Sequence, residues 1–245
     1  MIRESIAIIE RVRRIGAGWQ QVSIAVEETA LANIQPGQSL LVRTHNSWEP
    51  YLRSIWVPID ADPAQNLIEI ERPDSETYLP DVDIHLLGPV GIPFSLQKST
   101  KNLLLIAQDF PPTRLRFLLN VALRSQRAVT VVLTGEAKKY PVAAFPTETE
   151  IIYSDDTQTW PSQKETLLWA DQVFVVAPIP FYELYFSQLQ QVALEIRHAL
   201  PENYLNAVYD LPMPCGTGAC MACMVSSRQY TCLDGPAFDL AKMRF

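Results

Sequence analysis

The chain has no cysteine before position 215, and then all four of its cysteines lie between Cys215 and Cys232. A disulfide framework spreads cysteines so that they staple distant segments together. Crowding at one end points to a metal site instead. The segment reads Cys215-Gly216-Thr217-Gly218-Ala219-Cys220-Met221-Ala222-Cys223, with Cys232 downstream. This is C-x4-C-x2-C followed by a fourth cysteine, the spacing of plant-type ferredoxins. Three thiolates must converge from one short loop, so the backbone has to wrap around inorganic sulfurs. Gly216, Gly218 and Ala219 keep that loop free of bulk, and the glycines permit positive φ. Backbone N–H groups can then point at the sulfurs and stabilise their negative charge. Zinc is the alternative metal, but structural zinc sites favour paired short knuckles or histidine ligands. No histidine follows His198. The expected ligands of a 2Fe-2S cluster are therefore Cys215, Cys220, Cys223 and Cys232.

Two larger units precede this segment, and 245 residues are enough for both. Residues 1–95 carry short β-rich runs, among them Ser5–Glu10, Gln21–Val26, Ser39–Arg43, Leu52–Ile59 and Leu67–Glu71. Turn residues such as Gln35-Pro36-Gly37-Gln38 divide them, which suggests a small antiparallel barrel. From 96 to 206 strand and helix alternate: Leu103–Ile106, Thr113–Ser125, Val129–Leu133, Glu150–Tyr153, Gln163–Ala170, Gln172–Val176 and Tyr182–Ala199. That alternation implies a doubly wound parallel sheet, an α/β domain. The stretch 207–245 is too small to bury much apolar surface alone, so a metal or a neighbour must hold it.

The net charge of −7 argues against nucleic acid, whose phosphates demand a basic face. No apolar run approaches the roughly 20 residues of a membrane helix. The first sixteen residues contain arginines but no continuous apolar core, so they do not read as a secretion leader. A cytoplasmic location is expected.

Barrel, α/β domain and C-terminal cysteine segment, in that order, resemble the electron-transfer subunit of two-component dihydroorotate dehydrogenases, within the ferredoxin-reductase-like superfamily. The residues that carry the resemblance are Pro214–Cys223, Cys232-Leu233-Asp234-Gly235-Pro236-Ala237-Phe238, and Leu87-Gly88-Pro89-Val90-Gly91 with Phe94 at the domain junction. The resemblance implies FAD on the barrel and NAD(H) on the α/β domain. It also implies a cluster passing electrons to a separate flavoprotein oxidoreductase, such as the dihydroorotate dehydrogenase catalytic subunit of pyrimidine biosynthesis. By this resemblance the candidate FAD residues are Arg53, Gly88 and Gly91.

The chain departs from the family pattern at both organic cofactors. The flavin motif is best matched by Pro50-Tyr51-Leu52-Arg53-Ser54-Ile55-Trp56. There Arg53 can meet a pyrophosphate, but Trp56 stands where a small hydroxyl residue would face the isoalloxazine ring. The nicotinamide turn reads Ile106-Ala107-Gln108-Asp109-Phe110-Pro111-Pro112-Thr113. It lacks glycine, loses N–H donors to proline and places an acid where phosphate would sit. The later Cys-Gly-Pro turn reads Val176-Ala177-Pro178. NAD(H) binding is not expected.

Weaker signals carry less. His45, His85 and His198 are isolated in sequence, Tyr182, Tyr185 and Phe186 read as core, and Asp155-Asp156 reads as a solvated loop. Met213, Met221 and Met224 near the cysteines suggest either an adaptable docking face or packing around the cluster. No serine–histidine–acid nucleophile set is present in the pattern. Two functions follow: an electron-transfer component of an oxidoreductase, or an iron–sulfur redox-sensing or interaction module that has lost FAD and NAD.

Overall fold

The computed structural model describes residues 2–44 and 52–244. The chain divides into two compact units, Met1–Phe94 with Leu211–Pro236, and Ser95–Asp210 with Ala237–Phe245.

In the first unit the strands are β1 (Arg3–Gly16), β2 (Trp19–Val26), β3 (Ser39–Arg43), β4 (Ser54–Trp56), β5 (Pro58–Asp62), β6 (Leu67–Pro73) and β7 (Asp83–Val90), with one helical turn α1 (Thr29–Ala32) after β2. They form one antiparallel sheet in the order β4-β3-β7-β1-β2-β6-β5. The two edge strands β4 and β5 are separated in sequence only by Val57, so the sheet must curl until its edges meet. This is the expected barrel. Side chains alternate as a half-buried sheet requires. Along β7, Ile84, Leu86 and Val90 are buried while His85 and Leu87 are half-exposed. The inward set includes Val22, Ile24, Leu40, Ile68 and Ile70, each fully enclosed. Each such side chain stabilises the fold by about 1.5–3 kcal/mol relative to exposure. The run Leu52–Ile59, read from sequence as one strand, is two; Pro58 has no N–H with which to continue a ladder.

The second unit begins with β8 (Asn102–Gln108), α2 (Thr113–Arg124), β9 (Ala128–Thr134), β10 (Glu150–Ser154), α3 (Gln163–Trp169), β11 (Gln172–Val176), α4 (Tyr182–Arg197) and β12 (Leu205–Val208). The central strand β8 buries six successive side chains from Leu103 to Gln108, as a strand covered on both faces must. Helix α2 starts after Pro111-Pro112, which cannot donate but suit a helix start. It buries Leu115, Phe117, Leu118, Leu119 and Ala122. On α4, Tyr182, Tyr185 and Phe186 are core residues, as read from sequence.

After β12 the chain re-enters the first unit, where β13 (Met224–Ser226) and β14 (Gln229–Tyr230) form a small hairpin. It then returns to the second unit as β15 (Ala237–Asp239). The second sheet has the order β10-β9-β8-β11-β12-β15, parallel throughout except for β15, which runs antiparallel to β12. The winding reverses between β8 and β11, so the strand ends there form the topological switch point. The stretch 207–245, expected as a unit of its own, is thus shared between the two. Its apolar residues find partners in both, because alone they bury too little.

Candidate metal centre

The cysteine loop is shaped by residues in the left-handed region. Gly216 and Gly218 have φ of +66° and +75°, and Met221 has +59°. Space is also tight around both glycines. A Cβ on Gly216 would lie 3.1 Å from both Leu41 Cδ1 and Val90 Cγ2, and one on Gly218 would strike the Leu233 side chain. Downstream, Asp234 closes a tight turn: its Oδ2 accepts from Tyr230 N at 2.9 Å, while Asp234 N donates to Tyr230 O at 2.8 Å. Thr231 N donates to Cys223 O at 3.0 Å, which fastens this turn to the loop.

Together these contacts bring Cys223 and Cys232 side by side, with their sulfurs 3.3 Å apart. Gly218 N donates to Cys232 Sγ at 3.2 Å. Thr217 N and Cys220 N both donate to Cys215 Sγ at 3.5 Å. Of the N–H groups of Gly216, Gly218 and Ala219 expected to face the sulfurs, that of Gly218 does, and Thr217 and Cys220 supply the other bonds. Cys223 and Cys232 are buried, Cys215 is half-buried and Cys220 is exposed. Leu41, Val90 and Met213 pack around the buried pair, with Ile55 and Leu87 partly covering it. Met213 is thus an interior residue and not part of an exposed face. Met221 and Met224 are 60% and 52% exposed, and Leu233 is 45% exposed.

The environment separates the thiols electrostatically. Burial pushes Cys215 upward, but the N–H groups of Thr217 and Cys220 outweigh it and lower the thiol to about 6. Burial, reinforced by the neighbouring Cys223, pushes Cys232 up to about 12. Among the described residues, no three His, Cys, Asp or Glu side chains converge as one single-ion site needs.

The described residues expected at the organic cofactors are engaged within the protein. Arg53 forms an ion pair with Glu4, and this guanidinium holds the Glu4 carboxyl below the usual range. Trp56 does not face outward: it is fully buried in the barrel, edge-on to Tyr78 with ring centroids 5.2 Å apart and beneath the Arg72 guanidinium. The β4 register, with Trp56 opposite Leu40, turns it inward. Packing explains both candidate glycines. A Cβ on Gly88 would lie 2.7 Å from Leu40 Cδ2, and Gly91, with φ of +91°, faces Gly235 O. Pro50, Tyr51 and His45 lie outside the described residues.

At the end of β8, Asp109 has φ of +54°, and its Oδ1 accepts from Glu136 N at 2.8 Å. His198, also left-handed, closes α4 through an N–H bond to Leu194 O at 2.7 Å. His85 sits mid-strand in β7 opposite Ile6. Among the described residues, neither His85 nor His198 joins the cysteines in a group that could hold a metal ion. Asp156 is more than a solvated residue: it accepts from Gln158 N and Thr159 N, at 2.8 and 3.1 Å, and these bonds lower its carboxyl. Sequence reading missed Leu41 and Val90 as the floor beneath Gly216. No local pattern marks them, since they lie far from the cysteines along the chain.

Residues 212–244 match the family model described as the iron–sulfur cluster binding domain of dihydroorotate dehydrogenase B. A comparison with curated proteins gives no match. Among solved structures, one reported for an NADH-dependent reduced ferredoxin-NADP oxidoreductase is similar, with a TM-score of 0.71 at 17% identity. That alignment covers 95% of this chain and 87% of the other. The ferredoxin reductase in carbazole 1,9a-dioxygenase gives 0.63 at 14% identity, covering 84% of this chain and 69% of that one. The cytochrome P450 reductase of Amycolatopsis gives 0.61 at 12% identity, with the same coverages. The fold is that of these reductase structures, and the C-terminal segment is similar to the iron–sulfur cluster binding domain of dihydroorotate dehydrogenase B. The match falls on the same C-terminal segment that carries the resemblance drawn from the sequence. No helix among the described residues is long and apolar enough to cross a membrane.

Proposed function

From an iron–sulfur cluster binding domain borne on a ferredoxin-reductase-like fold, we propose that this chain is the electron-transfer subunit of a cytoplasmic oxidoreductase. In this reading Cys215, Cys220, Cys223 and Cys232 hold a 2Fe-2S cluster. The partner is a flavoprotein catalytic subunit of the dihydroorotate dehydrogenase kind. The observation that carries the proposal is the pairing of Cys223 with Cys232, with a backbone N–H donating to the Cys232 sulfur. The donor set fits: four thiols, N–H groups on two of them, and glycines that admit close approach.

When bound, the cluster supplies one-electron transfer. The chain's own residues give it a buried and an open side. Leu41, Val90 and Met213 exclude water from Cys223 and Cys232, while Cys220 opens to the surface beside Met221. Electron transfer needs the donor and acceptor close, so the open side is where the partner docks. Side chains take no part in proton transfer.

The residues do not fit the two organic cofactors in the same way. Glu4 neutralises Arg53, and Asp109 with Pro111 and Pro112 occupies the place of a phosphate-binding turn. These two observations favour a second reading, an iron–sulfur redox-sensing or interaction module without either cofactor. An anaerobically purified sample separates the readings. The first requires about two irons and about two acid-labile sulfides per chain, as in plant-type sites, and reoxidation by a flavoprotein partner. A cluster spectrum with no partner that accepts its electrons selects the second. Stoichiometric zinc without labile sulfide rejects both.

A further inference from the structure

The N–H donors of the cysteine loop differ in how far water can reach them. Thr217 and Cys220, which donate to Cys215 Sγ, are exposed residues. Gly218, whose N–H donates to Cys232 Sγ at 3.2 Å, is half-buried although Thr217 and Ala219 on either side of it are exposed. The Leu233 side chain lies against it. A Cβ on Gly218 would sit 3.2 Å from Leu233 Cγ and closer still to Leu233 Cδ1. Glycine, here with φ of +75°, lets the leucine settle this near the amide.

Backbone bonds hold Leu233 in that place. Its N–H donates to Tyr230 O at 3.1 Å, inside the turn that Asp234 closes, and Thr231 N ties the same turn to Cys223 O at 3.0 Å. Leu233 directly follows Cys232 in the chain. It is 45% exposed, yet Cys232 is only 4% exposed. The outer part of the leucine meets water and its inner part meets Gly218, which is the arrangement of a cover and not of a core residue. Such a cover has a redox consequence. The potential of an iron–sulfur site depends on hydrogen bonds to sulfur and on solvent exposure. The reduced state carries one more negative charge than the oxidised one, so nearby water stabilises it more. Excluding water therefore holds the potential down.

We propose that Leu233 sets the reduction potential of the site by keeping water off the bond from Gly218 N–H to Cys232 Sγ. The inference rests on the reading of the four cysteines as cluster ligands. Leu233 supplies no ligand atom and no charge, so it acts through solvent access alone. Its effect is confined to the Cys232 side, because the donors to Cys215 lie on exposed residues.

The test compares the anaerobically purified full chain with its Leu233→Ala and Leu233→Met variants. Potentiometric titration gives the midpoint, and electron spin echo spectroscopy in D2O reads solvent deuterons near the reduced site. In Leu233→Ala the one-electron equilibrium should shift about tenfold towards reduction, about 59 mV more positive, and the deuteron modulation should deepen. Leu233→Met keeps the apolar cover, so it should stay near the parent in both readouts. Iron, labile sulfide and the visible spectrum should match the parent in both variants. If Leu233→Ala does not retain its iron, Leu233→Val decides, with a smaller shift in the same direction. The proposal is overturned if the truncated variant keeps its iron and its potential is unmoved or falls. It is also overturned if the deuteron modulation does not deepen, or if Leu233→Met shifts as far as the truncation. A parent chain without iron and labile sulfide overturns the cluster reading and this inference with it, whereas an intact cluster with an unmoved potential overturns this inference alone.

Discussion

Serine at position 220 and serine at position 223 should behave differently, because one thiol is exposed and the other enclosed. Cys220→Ser should bleach the visible absorption with little change in circular dichroism. Cys223→Ser should bleach it too, and should also cost about 1–3 kcal/mol of stability, since its hydroxyl is buried among Leu41, Val90 and Met213. Equal thermal stability of the two variants would contradict this placement. The cluster-free chain offers a second check. Cys215, at about 6, is largely thiolate at neutral pH, whereas Cys232, at about 12, remains a thiol. Cys215 sits below the ordinary thiol value, so its contribution to folding is present above about pH 9 and is lost as pH falls towards 6. Cys232 sits above it, so its contribution is present below about pH 9 and is lost as pH rises towards 12. Iodoacetamide at pH 7, followed by mass spectrometry, should label Cys215 and exposed Cys220 first and Cys232 last.

Elements differ in how far their sequence announces them. Strands β3 and β11 have the bounds that their apolar runs suggest, and α2 ends one residue short of its periodic pattern. Strand β1 extends well past Glu10 because Arg11, Arg13 and Arg14 lie on its solvent side, where polar residues hide a strand. Gly88-Pro89, read as part of the domain junction, lies inside β7, where Leu40 packs against Gly88. The cysteine loop was legible because metal spacing is local. The inward aim of Trp56 was not, because it depends on the register of β4 against a strand set by distant residues. Strand β15 is three residues long, below what a pattern can mark, yet it has a mechanical role. Its Phe238 is buried and meets Tyr209 edge-on at 5.7 Å. Removing the cluster should therefore loosen only the middle of the C-terminal segment. Limited proteolysis of the cluster-free chain should cut between residues 215 and 230, while 237–244 stays protected. Cleavage in β15 at the same rate would show that the strand depends on the metal.

For the molecule as a whole, redox traffic should enter through one face and not through a nicotinamide. NADH with ferricyanide should give no saturable turnover, because Asp109 is committed to Glu136 N and the adjoining prolines offer no donors. Saturation at micromolar NADH would reject that conclusion. Met221→Glu places a charge on the exposed rim beside Cys220, so it should slow reduction or oxidation by the partner flavoprotein while the cluster spectrum is preserved. An unchanged rate would move the docking face elsewhere. The pairing of Val208 in β12 with Ala237 in β15 has a wider meaning. The intervening residues, all four cysteines among them, leave and re-enter the second sheet at neighbouring points. To that sheet they are a single oversized hairpin connection. Such a segment can be gained or lost in one genetic event, or deleted at the bench by joining 208 to 237 through a two-residue turn. The shortened chain would hold no metal ligand from this segment, and it would also lose Tyr209, the ring on which Phe238 of β15 rests.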